Sequence, residues 1–255
     1  MRLMFEEVRK NKIRSLILMF VFVILIASIG AAIGLIYGSL YFGLAIAGLI
    51  AIIYTLFGFF SGDKIVLGTS GARKVTKKEY PHLFHTVEGL ALAAGVPTPK
   101  AYVIDDSALN AFATGRDPKH ASITVTTGLL KTMNRQELEG VIAHEISHIK
   151  NYDVRFMMLV AVLIGLITLL SDFMFRSFLW SGKGKKRSKD KGKATIIIIA
   201  VAVILAILSP IIGQIVKFAI SRKREYMADA NGALLTRYPP GLASALRKIS
   251  KDPDP

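Results

Sequence analysis

Two uncharged runs stand back to back near the start of the chain, Ser15–Gly38 and Ser39–Gly62. As a helix the first would reach about 36 Å, enough to cross a hydrocarbon core of ~30 Å. A secretory signal has a shorter apolar stretch with a polar mature domain directly behind it. The pair therefore reads as a hairpin of two membrane spans. Gly30, Gly34 and Gly38 recur every four residues, a small-residue face along which two helices can approach closely.

The rest of the 255-residue chain divides by polarity. Residues 1–62 form a basic segment and the hairpin, 63–155 a polar block and 156–217 a second apolar pair with a basic loop at 181–193. Residues 218–255 form a polar C-terminal segment. Within the second pair, Phe156–Leu170 is short for a span, while Ala194–Val216 is long, with Pro210 as a predicted kink. In the polar block a helix is expected over Glu79–Ala94, stopped by Gly95 and Pro97. Short strands are expected at Ala101–Ile104, Ala111–Thr114 and Ser122–Thr126. A further helix should begin at Asn134, with Glu137 completing a capping box, and run to about Lys150. Beyond the second apolar pair, a helix over Phe218–Thr236 should break at Tyr238-Pro239-Pro240-Gly241 before a short terminal helix. The expected fold class is a mainly α integral membrane protein: transmembrane helices plus an α+β domain with a small β-sheet.

Lys and Arg number 33 against 18 Asp and Glu, a net charge of +15. The basic residues crowd the ends of the apolar runs, at Arg9, Lys10, Lys12 and Arg14 and again between Lys183 and Lys193. They are not interleaved with aromatics as a single-stranded nucleic-acid groove requires. The charge thus points to the lipid bilayer as partner and not to nucleic acid. The positive-inside rule sets the N-terminus, and after two crossings the polar block, in the cytoplasm. A second pair that fully spanned would carry the basic loop to the far side, so a partly embedded hairpin is an equal alternative.

The chain has no cysteine. Disulfides, thiol catalysis and thiolate metal sites are excluded, and any zinc must be held by His, Asp or Glu. His144-Glu145-Ile146-Ser147-His148 supplies such ligands: His at i and i+4 share one helix face and can reach one Zn2+ ion. Glu145 beside them is the candidate catalytic base, placed to take a proton from water without binding the metal. A catalytic zinc site needs a third protein ligand. Glu225 is the best candidate, and Asp229, four residues on, could accept a hydrogen bond from a ligand His. Ordinary surface pairing explains the same acidic spacing. His82, His85 and His120 are read as surface residues, and Asp172 and Arg176 as an ion pair at a membrane boundary.

With these residues in place the chain resembles the HtpX family of membrane zinc metalloproteases. The likeness rests on His144-Glu145-x-x-His148, the distant Arg224-Glu225-x-x-Ala228-Asp229 and the leading membrane hairpin. Asn110-Ala111-Phe112-Ala113-Thr114-Gly115 and Ala94-Gly95-Val96-Pro97-Thr98-Pro99 match the same pattern. The resemblance implies that the α+β domain is a zincin-like catalytic domain, with zinc held by His144, His148 and Glu225, Glu145 as base and Asp229 behind the ligands. It implies endoproteolysis of damaged or misfolded membrane proteins in a prokaryotic cytoplasmic (inner) membrane, with the active site facing the cytoplasm. It also favours Asn110, Ala111, Phe112 and Ala113 as a substrate-binding edge strand, where the pattern alone fits a buried strand equally well. The family extends past the position of Pro255 and carries a His-Pro motif there, so either the sequence is truncated or stabilising the oxyanion falls to Tyr226, Arg222 or zinc alone. The alternatives are a CAAX-type prenyl-protein endopeptidase and a non-catalytic membrane scaffold stabilised by zinc. The oligomeric state is left open.

Overall fold

A computed structural model describes residues 2–36, 38–165, 168 and 222–252. The described residues divide into two compact units. One draws on Met1–Ser15, Phe60–Met158 and Ile220–Pro255, the other on Leu16–Phe59 and Leu159–Ala219.

The second unit holds most of the hairpin. Helix α1 (Arg2–Ile36) and helix α2 (Leu40–Thr69) are both long and apolar enough to cross a membrane. Both outrun the apolar sequence, since the charged Arg2–Arg14 and Asp63–Lys64 continue the helices. The glycine face is used in their packing: a Cβ at Gly30 would overlap Ala47, and one at Gly34 would lie 3.0 Å from Gly43 Cα. Aromatic rings of Phe22 and Tyr54 meet at 6.0 Å between centroids. Phe20, Leu49, Ile50 and Phe57 turn outward and stay more than half exposed. So continuous an apolar exterior suits lipid and not water.

The first unit is the polar block. Helix α3 (Pro81–Ala94) starts two residues later than the sequence suggests, because Pro81 occupies its first turn and Glu79 is used elsewhere. The Glu79 carboxylate instead accepts from the Thr76 backbone N–H at 2.7 Å and from Arg73 at 3.0 Å. Gly95 ends α3 in the left-handed region, φ +70°, as a C-cap glycine does.

Four strands follow in the order β1-β2-β4-β3: β1 (Arg73–Lys74), β2 (Lys100–Ile104), β3 (Ala111–Gly115) and β4 (Ala121–Thr126). The two-residue β1 is too short to leave a pattern in the sequence. β2 and β4 run parallel, and β3 and β4 antiparallel with Ala113 opposite Ile123. β4 is buried at every position and forms the sheet's centre, which leaves β3 as an edge.

After the short helix α4 (Thr127–Thr132) comes α5 (Arg135–Lys150), which carries both His of the motif. Its start is the expected capping box: Asn134 accepts from the Glu137 N–H while Glu137 accepts from the Asn134 N–H, both at 2.9 Å. Helix α6 occupies residues 153–165. The rest of the second apolar pair, including Ala194–Val216, Pro210, the 181–193 loop, Asp172 and Arg176, lies outside the described residues. Helix α7 (Arg222–Thr236) and helix α8 (Pro239–Ile249) complete the unit. Leu83, Val87, Val103, Ile123, Val125, Ile142, Ile146 and Ala245 form one core between α3, the sheet, α5 and α8. Lining α5 on several sides with apolar groups holds it at a fixed height and rotation, and so fixes where its two imidazoles point.

Candidate metal centre

His144 and His148 project from the same face of α5, with ring centroids 4.8 Å apart and planes near perpendicular at 79°. Their Nε2 atoms face each other at 3.1 Å. Across from them α7 brings Glu225, whose Oε2 lies 3.4 Å from His144 Nε2 and 3.6 Å from His148 Nε2. The close approach of α7 depends on Gly232, where a Cβ would lie 3.2 Å from the backbone nitrogen of His144. Asn231 on the same helix donates to Ser147 Oγ at 3.1 Å and adds to the docking.

Each imidazole is oriented from behind. His144 Nδ1 donates to Asp229 Oδ1 at 2.9 Å, and His148 Nδ1 donates to Asp153 Oδ2 at 3.1 Å. A carboxylate only accepts, so each ring keeps a proton on Nδ1, which leaves Nε2 as the nitrogen that a bound cation would take, in exchange for any proton held there. Two imidazole nitrogens and a carboxylate oxygen thus converge, an arrangement that a cation satisfies. The spacing fits one: a tetrahedral ion with bonds of about 2.0–2.1 Å separates its ligands by about 3.3–3.4 Å. Observed separations of 3.1, 3.4 and 3.6 Å bracket that value. The chemistry of this donor set fits a borderline-soft divalent metal.

The charges point the same way. Burial works against a proton on either ring, but the carboxylates outweigh it. His148 is pushed up to about 10, chiefly by hydrogen bonds to Asp153 and Glu225. His144 is likewise raised, by Glu225, Glu145 and Asp229. Glu225 is held well below the usual carboxylate range by its contacts with both imidazoles. The environment favours positive charge at this point. Glu145 behaves oppositely: burial pushes its carboxyl up, only partly offset by the imidazoles and by the backbone N–H of Ala113. A carboxyl with a raised pKa can both accept and return a proton.

That N–H comes from the sheet edge. Thr126 N–H donates to Asn110 C=O at 3.0 Å, and the register alternates from there. The backbone groups of Phe112 and Thr114 therefore face β4, while those of Ala111 and Ala113 face the open edge. The Ala113 N–H reaches Glu145 across that edge. Asn110 is exposed, and Ala111, Phe112 and Ala113 are half-buried.

The structure thus gathers His144, His148, Glu225, Asp229, Glu145 and Ala113 into one place. Tyr226 and Arg222 are on α7 but exposed, and they are not among the residues brought to the cluster. His82, His85 and His120 also lie outside it. Asp153 was not anticipated from sequence. It sits five residues past His148, beyond an Asn-Tyr turn that returns it toward the ring, and it is 2% exposed. A carboxylate one turn beyond the second His is the signal that could have found it.

Residues 77–252 match the model for peptidase family M48. A protein from Dictyoglomus thermophilum, named Protease HtpX homolog, is 49% identical over 251 residues, covering 98% of this chain and 81% of its own length. Proteins of the same name are 43% identical in Streptococcus agalactiae (98% of this chain, 84% of that protein) and 40% in Tropheryma whipplei (99% and 84%). With this match running through the helix that bears His144 and His148 and the helix that bears Glu225, the chain belongs to peptidase family M48 and is an HtpX-like membrane metalloprotease.

Proposed function

We propose that the metal is zinc, held by His144, His148 and Glu225, and that the protein is an endopeptidase acting on damaged or misfolded membrane proteins. The observation that carries this reading is the convergence of three ligand atoms at 3.1–3.6 Å beside a buried carboxyl that does not join them. When bound, zinc supplies a Lewis acid that makes water a nucleophile near neutral pH and polarises a carbonyl. Glu145 takes the proton from the attacking water. The same carboxyl hands that proton to the amide nitrogen as the carbon–nitrogen bond breaks, so that it leaves as a neutral amine and the carboxylate is restored each cycle. Asp229 and Asp153 keep both imidazoles in the tautomer that binds metal.

The substrate is held extended against the β3 edge. The outward C=O and N–H of Ala111 and the C=O of Ala113 pair with its backbone, as in strand addition, with Asn110 and Phe112 flanking. Main-chain pairing reads extension and not sequence, which suits clients that are recognised because they are unfolded. Tyr226 and Arg222 remain the candidates for stabilising the oxyanion and would have to turn inward with substrate bound. The two apolar helices anchor the protease beside its clients, and the basic residues Arg9, Lys10, Lys12 and Arg14 in the first turns of α1 support a cytoplasmic face in a prokaryotic inner membrane.

The test compares the detergent-purified chain with its Glu145→Gln form on casein, an unfolded substrate. The native chain should cleave casein in a chelator-sensitive way. E145Q should bind metal normally and lose about 10²–10⁴-fold in rate, the usual contribution of general acid–base catalysis. Equal cleavage by both forms would overturn the role of Glu145.

A further inference from the structure

We infer that Asn11, in the first turns of the anchoring helix α1, is a positioning residue of the metal centre. The inference rests on the His-His-Glu reading of that centre. Asn11 is fully buried (0% exposed), although it lies in a stretch flanked by Arg9, Lys10, Lys12 and Arg14. Its amide is fully engaged. One Nδ2 hydrogen goes to Asp153 Oδ1 at 2.6 Å and the other to the Asn151 carbonyl at 3.0 Å, while Oδ1 accepts from Arg14 at 3.4 Å. Asp153 uses its second oxygen, Oδ2, for His148 Nδ1. An unbroken chain of hydrogen bonds therefore runs from α1 through a single carboxylate to a metal ligand.

The chemistry of each member suits positioning. A buried carboxylate needs donors on both oxygens if it is to keep one orientation. On the Asn11 side Oδ1 takes a short neutral hydrogen bond from the amide, and Arg224 Nε, buried beside the Phe156 ring, pairs with the same oxygen at 3.7 Å. Both partners hold Oδ1 in place, so Oδ2 stays directed at the His148 Nδ1 proton and makes Nε2 a better donor to metal.

The second bond of Asn11 serves the same end. Asn151 precedes Tyr152, which sits in the left-handed region at φ +61°, a costly conformation for a side chain of that size. This turn is what brings Asp153 back toward His148. Asn11 fastens the carbonyl on one side of the turn, and the Tyr152 ring is covered by Lys12 at 4.4 Å and Arg155 at 4.8 Å. The strained turn is thus clamped by two consecutive residues of α1. The start of the membrane anchor is part of the machinery that sets the geometry of the catalytic metal.

The experiment is a double-mutant cycle on the full-length, detergent-solubilised chain: Asn11→Ala, Asp153→Ala and the pair. Zn2+ affinity is read by competition with a chromogenic chelator. The ligand field is read from the visible absorption of the Co2+-loaded protein, and folding from thermal unfolding of each variant without added metal. N11A should weaken Zn2+ binding about tenfold and alter the Co2+ spectrum, within the 10–100-fold range for groups that orient ligands. D153A should weaken it further, and the double variant should be no worse than D153A alone, because Asn11 acts through Asp153. If N11A does not yield folded protein, Asn11→Asp, of equal size but without the amide donors, replaces it with the same expectation. Native affinity and spectrum in N11A, or losses that multiply in the pair, would overturn the inference. Absence of Zn2+ binding by the unsubstituted chain would instead sink the metal-centre reading, and this one with it.

Discussion

At the scale of single residues, the centre is organised by which nitrogen of each imidazole carries a proton. His144 and His148 are both turned by carboxylates behind them, Asp229 at 2.9 Å and Asp153 at 3.1 Å. Asp229→Asn keeps the shape but removes the charge and can present an amide donor to Nδ1, favouring the wrong tautomer. It should weaken Zn2+ binding by about 10–100-fold while leaving the helices intact, as checked by chelator competition alongside circular dichroism. The legibility of this set was uneven. His144, Glu145 and His148 could be read from the sequence because helical periodicity ties spacing to direction. Glu225 and Asp229 share a face for the same reason, but only the packing of α7 on α5 decides that this face meets the metal. Asn11 was beyond reach: 142 positions separate it from Asp153, and no local pattern marks it out from the basic residues around it.

At the scale of elements, α8 is tied to the start of the metal-bearing helix. Glu137, 3% exposed, caps α5 and also accepts from Lys248 at 2.6 Å and Ser244 at 2.7 Å. Burial alone would raise its pKa, but the bonds from Lys248, Ser244 and the Asn134 N–H hold it below its ordinary 4.5. A depressed folded value means that the ionised form stabilises the fold above the unfolded pKa. That contribution is lost as pH falls through the lower folded value. Glu137→Gln should therefore cost about 1–3 kcal/mol at pH 7. In thermal unfolding the gap between the two forms should close as pH drops below 4.5. A gap that persisted under acid would show that charge on Glu137 is not what matters. The elements themselves were largely legible. The capping box, the Gly95 stop and three strands come from short-range chemistry that tertiary contacts do not override. α3 was misplaced by two residues because the Glu79 carboxylate has two local uses, and the structure chooses Thr76 and Arg73 over the helix. β1, two residues long, exists only because β2 offers it a partner.

At the scale of the whole molecule, two apolar helices anchor a metalloprotease whose family is shown along nearly the full chain. Hydrophobic run length announced these helices, because nothing but lipid tolerates so many outward apolar side chains. Their orientation rests on flanking charge, which makes a definite prediction. The chain has no cysteine, so single substitutions can be labelled without background. On the proposed cytoplasmic orientation of the catalytic unit, Lys77→Cys should resist a membrane-impermeant maleimide in intact cells and react after the membrane is opened. Labelling before permeabilisation would reverse the topology. The central claim, that two helices from distant parts of the chain build one zinc site, is tested most directly by metal content. Zinc per purified chain should be measured by mass spectrometry for the native, Glu145→Gln and Glu225→Ala forms. The account predicts one zinc in the first two and little in the third. Full zinc in E225A, or its loss in E145Q, would contradict the assignment of Glu225 as ligand and Glu145 as base.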